Sequence, residues 1–347
     1  MTDPLKRLLE ILAAITAILF IASTPLAFTL YSLERHVFEA DLYIQALDEE
    51  NVYQQLPVLT AQTLAIAAQR PDNAGILAIF RNLSLEQWQA MVVQLLPPDV
   101  LRALMTDAVT QIMAYLNGER ADAVLSLASL KAHMQSPEGI NAVYGILEAQ
   151  PDCTVEQLTA MALNQQALTL CDPPDTFLFL DLRPIFAAQV NGLMSLIPEQ
   201  VTIISAGSSR PGYLQNLNDL RILMRLSPLF PILCLLIIPV LVVRSFQGWL
   251  NWWGYPLVLA GFISLFLSAI SAPLSSLTFQ LLFAPALPAV FPAGLLEMFK
   301  GLTAAIVRNA IEPALLVAGA MLLVGLVMVA LGFLLRGKFR KDGVYYR

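Results

Sequence analysis

The sequence predicts an all-α membrane protein: four transmembrane helices, with a mostly helical extracytoplasmic domain between spans 1 and 2. Three observations carry this. The 347 residues are 57% hydrophobic and only 13% charged, whereas soluble domains run near 45–50% apolar and about 25% charged. Mean hydropathy is +0.66. One apolar run lies near the start and three lie in the last third, with a polar stretch from Glu34 to Leu226 between them. The charge is also split. That stretch holds 21 Asp/Glu against 10 Lys/Arg, while residues 336–347 hold five Lys/Arg against Asp342. The net charge of −6 thus averages an acidic insert with a basic tail.

Residues 1–33 read as a short N-terminus and the first span. Lys6 and Arg7 precede an apolar run from Leu8 to Leu33, broken only by Glu10 and small hydroxyl residues. From Ile11 to Leu33 a helix would be about 35 Å long, enough to cross a bilayer. A cleavable signal peptide has a shorter apolar core and a small-x-small exit. Ser23-Thr24-Pro25-Leu26-Ala27 fits that exit poorly, so the run reads as an uncleaved signal-anchor, with Pro25 as a kink.

Residues 34–226 are enough for a domain with its own core, and they read mostly as helices. Asp48 is a candidate cap for a helix whose first turn carries Glu49 and Glu50. Ser84-Leu-Glu-Gln87 is a capping-box pattern opening a helix with Trp88, Met91, Val92 and Leu95 on one face. Pro97-Pro98-Asp99 begins a second helix. Leu101, Leu104, Met105, Ala108, Ile112, Met113 and Leu116 recur along it at helical spacing, and Asn117-Gly118 stops it. Ser136-Pro137 opens a third, through Ile140, Val143, Tyr144 and Leu147. Thr154-Val-Glu-Gln157 repeats the capping box, and Pro184 begins a helix through Phe186, Val190 and Leu193. Alternation at Thr176–Leu182 and Val201–Ser205 is too short for more than one minor β pair.

From about Tyr213 a helix runs towards the second span, Leu226–Val243, which Arg244 ends. The link to Gly254 carries Trp249, Trp252 and Trp253, rings that favour the headgroup level. Tyr255–Leu274 is the third span. Gly261, Ser264, Ser268 and Ser271 line one of its faces, where small residues let a helix approach. Residues 275–312 read as an apolar outer loop broken by Pro285, Pro288 and Pro292. Within it, Leu295–Ile311 reads as an interfacial amphipathic helix with Glu297, Lys300 and Arg308 opposite Phe299, Leu302 and Ile306. Pro313–Leu335 is the fourth span, with a second small-residue face at Ala318, Gly325 and Gly332. Residues 227–335 thus hold spans 2–4, and 336–347 form the basic tail.

Placing Lys6, Arg7, Arg244 and Arg336-Gly-Lys338-Phe-Arg340-Lys341 in the cytoplasm requires both termini inside and the acidic insert outside, in a cell membrane. Cys153 and Cys171 would then meet an oxidising compartment. Seventeen residues separate them, and a bridge there would contribute about 3 kcal/mol in the loop-entropy picture. A metal or redox pair is the alternative, but no CxxC and no nearby His supports it. Cys234 reads as a buried small hydrophobe.

The chemistry expected of this chain is limited. His36 and His133, the only histidines, belong to no metal spacing. Ala206-Gly207-Ser208-Ser209 is not a nucleophile elbow, and no Walker or dinucleotide glycine pattern occurs. Asp48-Glu49-Glu50 and Asp172-Pro-Pro-Asp175 read as solvated helix starts and loops rather than cation sites. Asn82-Leu-Ser84 matches a glycosylation sequon. Glu10 and Glu312 sit at span edges with no charge mid-span, which leaves a proton path or channel unsupported. No catalytic residue, cofactor or metal is expected. The expected partners are the lipid bilayer and an unknown envelope or membrane protein; an acidic insert without a basic stripe excludes nucleic acid.

Leu95-Leu-Pro-Pro-Asp-Val-Leu101, Ser126-Leu-Ala-Ser-Leu-Lys131, Pro151-Asp-Cys-Thr-Val-Glu-Gln-Leu158 and Leu170-Cys-Asp-Pro-Pro174 resemble uncharacterised bacterial four-span membrane proteins with a long helical extracytoplasmic loop. That resemblance covers mainly the insert and implies no activity. The order of one span, a large outer domain and three spans also resembles the permease of macrolide-exporter-type ABC transporters, in topology alone. Those permeases have an outer domain with substantial sheet, which this insert lacks in sequence. The expectation is therefore a non-enzymatic membrane protein whose outer helical domain binds, senses or scaffolds an envelope partner. A transport subunit is the alternative, and a membrane-bound enzyme a distant one.

Overall fold

The structure is a computed structural model that describes residues 3–69, 83–148, 152–156, 183–205, 212–283 and 293–341. It is mostly helical, and four helices are long and apolar enough to cross a membrane, at Pro4–Val37, Asn216–Val242, Phe246–Ser271 and Ala293–Leu335. The chain divides into two compact units. The first comprises Met1–Leu42, Ser209–Ala286 and Lys300–Arg347, and the second Tyr43–Ser208 and Leu287–Phe299.

In the first unit, α1 (Asp3–Val37) packs against α9 (Gly212–Leu226), α10 (Leu229–Val242) and α11 (Phe246–Thr278). Phe20, Cys234, Leu250, Leu257, Ala260 and Met328 form its buried core. The outward faces of these helices stay apolar, as they must against hydrocarbon rather than water: Ile18, Leu26, Val240 and Phe262 are all exposed. Two buried hydroxyls of this unit are absorbed by backbone. Thr24 donates to the Phe20 carbonyl, and Ser32 Oγ donates to the Ala310 carbonyl at 2.7 Å.

Two helical segments differ from the sequence reading. The link between the second and third spans is almost entirely helix, because Ser245 caps α11 by accepting from the Gly248 amide. The tryptophans therefore ride on the first turns of a span, with Trp249 and Trp253 one turn apart and their rings 5.1 Å between centroids. The separate interfacial helix at 295–311 is replaced by one continuous helix, α12 (Ala293–Lys341), that runs through Pro313. A proline removes one backbone hydrogen bond and kinks a helix, but no cap or helix-stopping glycine precedes this one. Met298, Ala305, Ala310 and Ile311 are its buried positions here, not Phe299, which is exposed. Pro285, Pro288 and Pro292 lie outside the described residues.

The second unit is built from short helices. α2 (Ala40–Glu49), which begins in the first unit, and α3 (Val52–Ala68) meet at Asn51, whose φ of 50° is one that asparagine tolerates better than most residues. Asp48 therefore ends α2 rather than capping a new helix, and its carboxylate pairs with Arg102. α4 (Leu85–Leu95) opens on the full capping box, with Ser84 Oγ accepting from the Gln87 amide and Gln87 Oε1 accepting from the Ser84 amide; such a cap is worth about 1 kcal/mol. Trp88 and Val92 are buried against Ala61, Ala65 and Ala68 of α3. α5 (Pro98–Leu116) stops in a Schellman turn: Gly118 takes φ 73°, its amide bonds Tyr115, and the Glu119 amide bonds Ala114. Its fully buried positions are Val100 and Tyr115, outside the stripe that periodicity picks out.

One antiparallel ribbon joins β1 (Asp122–Ser126) to β2 (Gln200–Ser205), with an irregularity at Ala123/Val124. The β2 segment matches the sequence reading, but its partner is β1. Thr176–Leu182 lies outside the described residues. Asp107 of α5 anchors the ribbon by accepting from the Ser126 amide at 2.8 Å. α6 (Ala128–Gln135) and α7 (Pro137–Glu148) turn sharply at Ser136. The Gly139 Cα comes so close there that a Cβ would lie 2.2 Å from the His133 carbonyl oxygen. Just after α8 (Arg183–Leu196), the Ile197 carbonyl accepts from the Lys131 ammonium at 3.0 Å.

Candidate functional site

The most concentrated buried charge among the described residues is Glu34, in the last turn of α1, whose side chain is 2% exposed. A carboxylate held so far from water needs positive partners. α9 supplies two, one helical turn apart and so on one face. Arg225 Nε donates to Glu34 Oε1 at 2.7 Å, and Arg221 Nε reaches the same oxygen at 3.3 Å. The Arg221 guanidinium also lies 4.1 Å from the Phe38 ring centroid, a cation–π distance. One step further along, Ser227 Oγ donates to the Ala27 carbonyl at 2.9 Å. The ends of the first apolar helix and of α9 are thus tied at two levels. This triad is not legible in the sequence, because Glu34 and Arg225 are 191 residues apart. The available signal is an Arg-x-x-x-Arg repeat in the apolar last two turns of α9, Leu220–Leu226.

A second cluster lies in the other unit. Arg102 pairs with Asp48 and sits 5.2 Å from the Tyr53 ring centroid. Burial first, and the Asp48 carboxylate second, hold the Tyr53 phenol above its ordinary range, while Thr106 and Arg102 pull it back. A raised tyrosine beside a paired carboxylate is a poor base at neutral pH, and the arrangement reads as packing.

The small-residue positions can be placed individually. A Cβ on Gly261 would lie 2.7 Å from the Leu322 backbone nitrogen, and one on Gly325 2.7 Å from that of Val258. At Gly332 it would lie 2.7 Å from Asn251 Oδ1. Ala318 is buried and its carbonyl lies against Gly261. Ser264 is buried with no hydrogen-bond partner among the described residues, while Ser268 and Ser271 are half-buried and Ser271 Oγ donates to the Ser268 carbonyl. Gly254, absent from the sequence-predicted face, belongs to the same approach: its Cβ would meet Val329 Cγ2 at 2.8 Å.

The remaining candidates have local roles or lie elsewhere. His36 Nδ1 is 3.5 Å from Glu39 Oε2, and His133 Nε2 is 2.8 Å from the Gln94 carbonyl. No three His, Cys, Asp or Glu converge on a metal-sized site among the described residues. Cys234 is free and buried, and Cys153 is not a free thiol. Cys171, Asp172, Asp175, Asn82 and Ala206–Ser209 lie outside the described residues.

Four apolar helices of spanning length and a mostly helical segment between the first two define a multi-pass membrane protein in contact with the lipid bilayer. No family model, curated protein or solved structure matches the chain.

Proposed function

We propose that this is a non-enzymatic membrane protein whose residues 34–226 lie outside the cell and bind, sense or scaffold an envelope partner. Both termini lie in the cytoplasm. The observation that carries the reading is how the polar side chains of the insert are used. Asp48, Arg102, Asp107, Lys131 and His133 each hold a neighbouring element in place, so among the described residues these groups serve to build a shaped surface. The orientation rests on charge, since Lys6, Arg7, Arg244 and the basic tail all fall on one side of a four-span path. It is consistent with a Cys153–Cys171 bridge, since Cys153 is not a free thiol. A transport subunit is less well supported, because the sheet among the described residues is one two-stranded ribbon.

Reporter fusions after Arg347 and within the turn at Gly118 should report opposite sides of the membrane. Both reporters on one side would end the four-span proposal. For binding against catalysis, His36→Gln and His133→Gln should leave the cellular phenotype intact, and deletion of the insert should abolish it. Complete loss of function in a stably folded His133→Gln protein would reopen the enzyme reading.

A further inference from the structure

We propose that the Arg225 guanidinium, fixed by Glu34, holds the phosphate of an anionic phospholipid at the edge of the bilayer. One oxygen of Glu34 meets the Nε groups of both arginines. The two arginines are not equally accessible. The Arg221 side chain is 17% exposed and stacked on Phe38, whereas the Arg225 side chain is 60% exposed. Arg225 uses Nε for Glu34, and among the described residues its two Nη groups make no hydrogen bond. Their four N–H donors form a fork that matches phosphate oxygens.

The surroundings say which phosphate. Leu220, Ile222, Leu223, Leu226, Leu229 and Phe230, on both sides of Arg225 along the chain, are all exposed. Both arginines fall within the candidate span Asn216–Val242, and Glu34 falls within Pro4–Val37. An exposed apolar belt is a lipid-facing surface, and a cation set into one is costly unless it reaches an anion at the headgroup level. Glu34 makes the site more than a snorkelling side chain, because it fixes the guanidinium plane before the lipid arrives and so lowers the ordering cost of binding.

The test uses the full-length protein in mild detergent, titrated with dioleoylphosphatidylglycerol or dioleoylphosphatidylcholine and read by native mass spectrometry. The wild-type chain should bind the anionic lipid more tightly than the zwitterionic one. Arg225→Gln should weaken phosphatidylglycerol binding about tenfold, the loss expected for one charge-assisted fork, and Arg225→Lys should fall between. Arg120→Gln, in the insert, should leave binding unchanged. Equal affinity of wild type and Arg225→Gln for phosphatidylglycerol would overturn the site. Displacement of the lipid adduct by excess inorganic phosphate would overturn the lipid assignment and make free phosphate the occupant. Should Arg225→Gln not fold, equal wild-type affinity for the two lipids decides against the proposal.

Discussion

Gly325→Ile is expected to lower the thermal midpoint of the purified protein far more than Leu326→Ile. A Cβ at position 325 would lie 2.7 Å from the Val258 backbone nitrogen and 3.1 Å from the Gly254 carbonyl. The obstacle is main chain on both sides, so no rotamer change relieves it. α11 and α12 must move apart, which forfeits van der Waals attraction along the whole seam where no water-driven hydrophobic effect compensates. The loss should be about 3 kcal/mol or more, at or above the usual range for overpacking. Leu326, by contrast, is exposed, and its replacement by isoleucine should cost less than about 1 kcal/mol. Alanine gives a finer comparison. Gly325→Ala should destabilise, whereas Gly319→Ala, whose Cβ meets nothing within 4 Å, should stabilise slightly through helix propensity. Equal midpoints for the two isoleucine variants would mean that the helices do not meet along this seam.

What is legible in the chain depends on whether its signal is local. The capping box at Ser84, the stop at Gly118 and the four apolar runs are written within a few residues each, and the structure carries all of them. A proline or an acidic run is a poorer guide to a boundary. Pro313 sits inside α12, and Asp48 ends a helix instead of starting one. The β ribbon is half legible: Val201–Ser205 alternates, but β1 at Asp122–Ser126 lies far from it in sequence and is too short to announce itself. The ion triad is invisible for the same reason, since its members lie at opposite ends of the polar stretch, Glu34 at its start and Arg221 and Arg225 near its close. Pairing across almost 200 residues is a property of packing, and a single sequence does not encode it in any local pattern.

That triad sets the second large effect. Glu34→Gln should destabilise the protein by about 3 kcal/mol, because breaking a buried pair leaves its partners uncompensated. The glutamine keeps the size of the side chain, so packing around it is nearly unchanged and the loss reports charge. Arg221, at 17% exposure, bears the consequence; Arg225, at 60%, turns to solvent or headgroups and suffers less. Arg225→Gln should accordingly cost no more than about 1 kcal/mol, since Glu34 retains Arg221 and the broken pair is half solvated. Arg221→Gln should lie between the two, because it also removes the cation from the face of Phe38. Because Glu34 and Arg221 act together, the double variant should be less destabilised than the sum of the single changes by about 1 kcal/mol or more. Thermal unfolding of the four variants in one detergent measures all of these. A larger loss for Arg225→Gln than for Glu34→Gln would show that the carboxylate is not the centre of the triad, and strict additivity would show that Glu34 and Arg221 do not act as a pair.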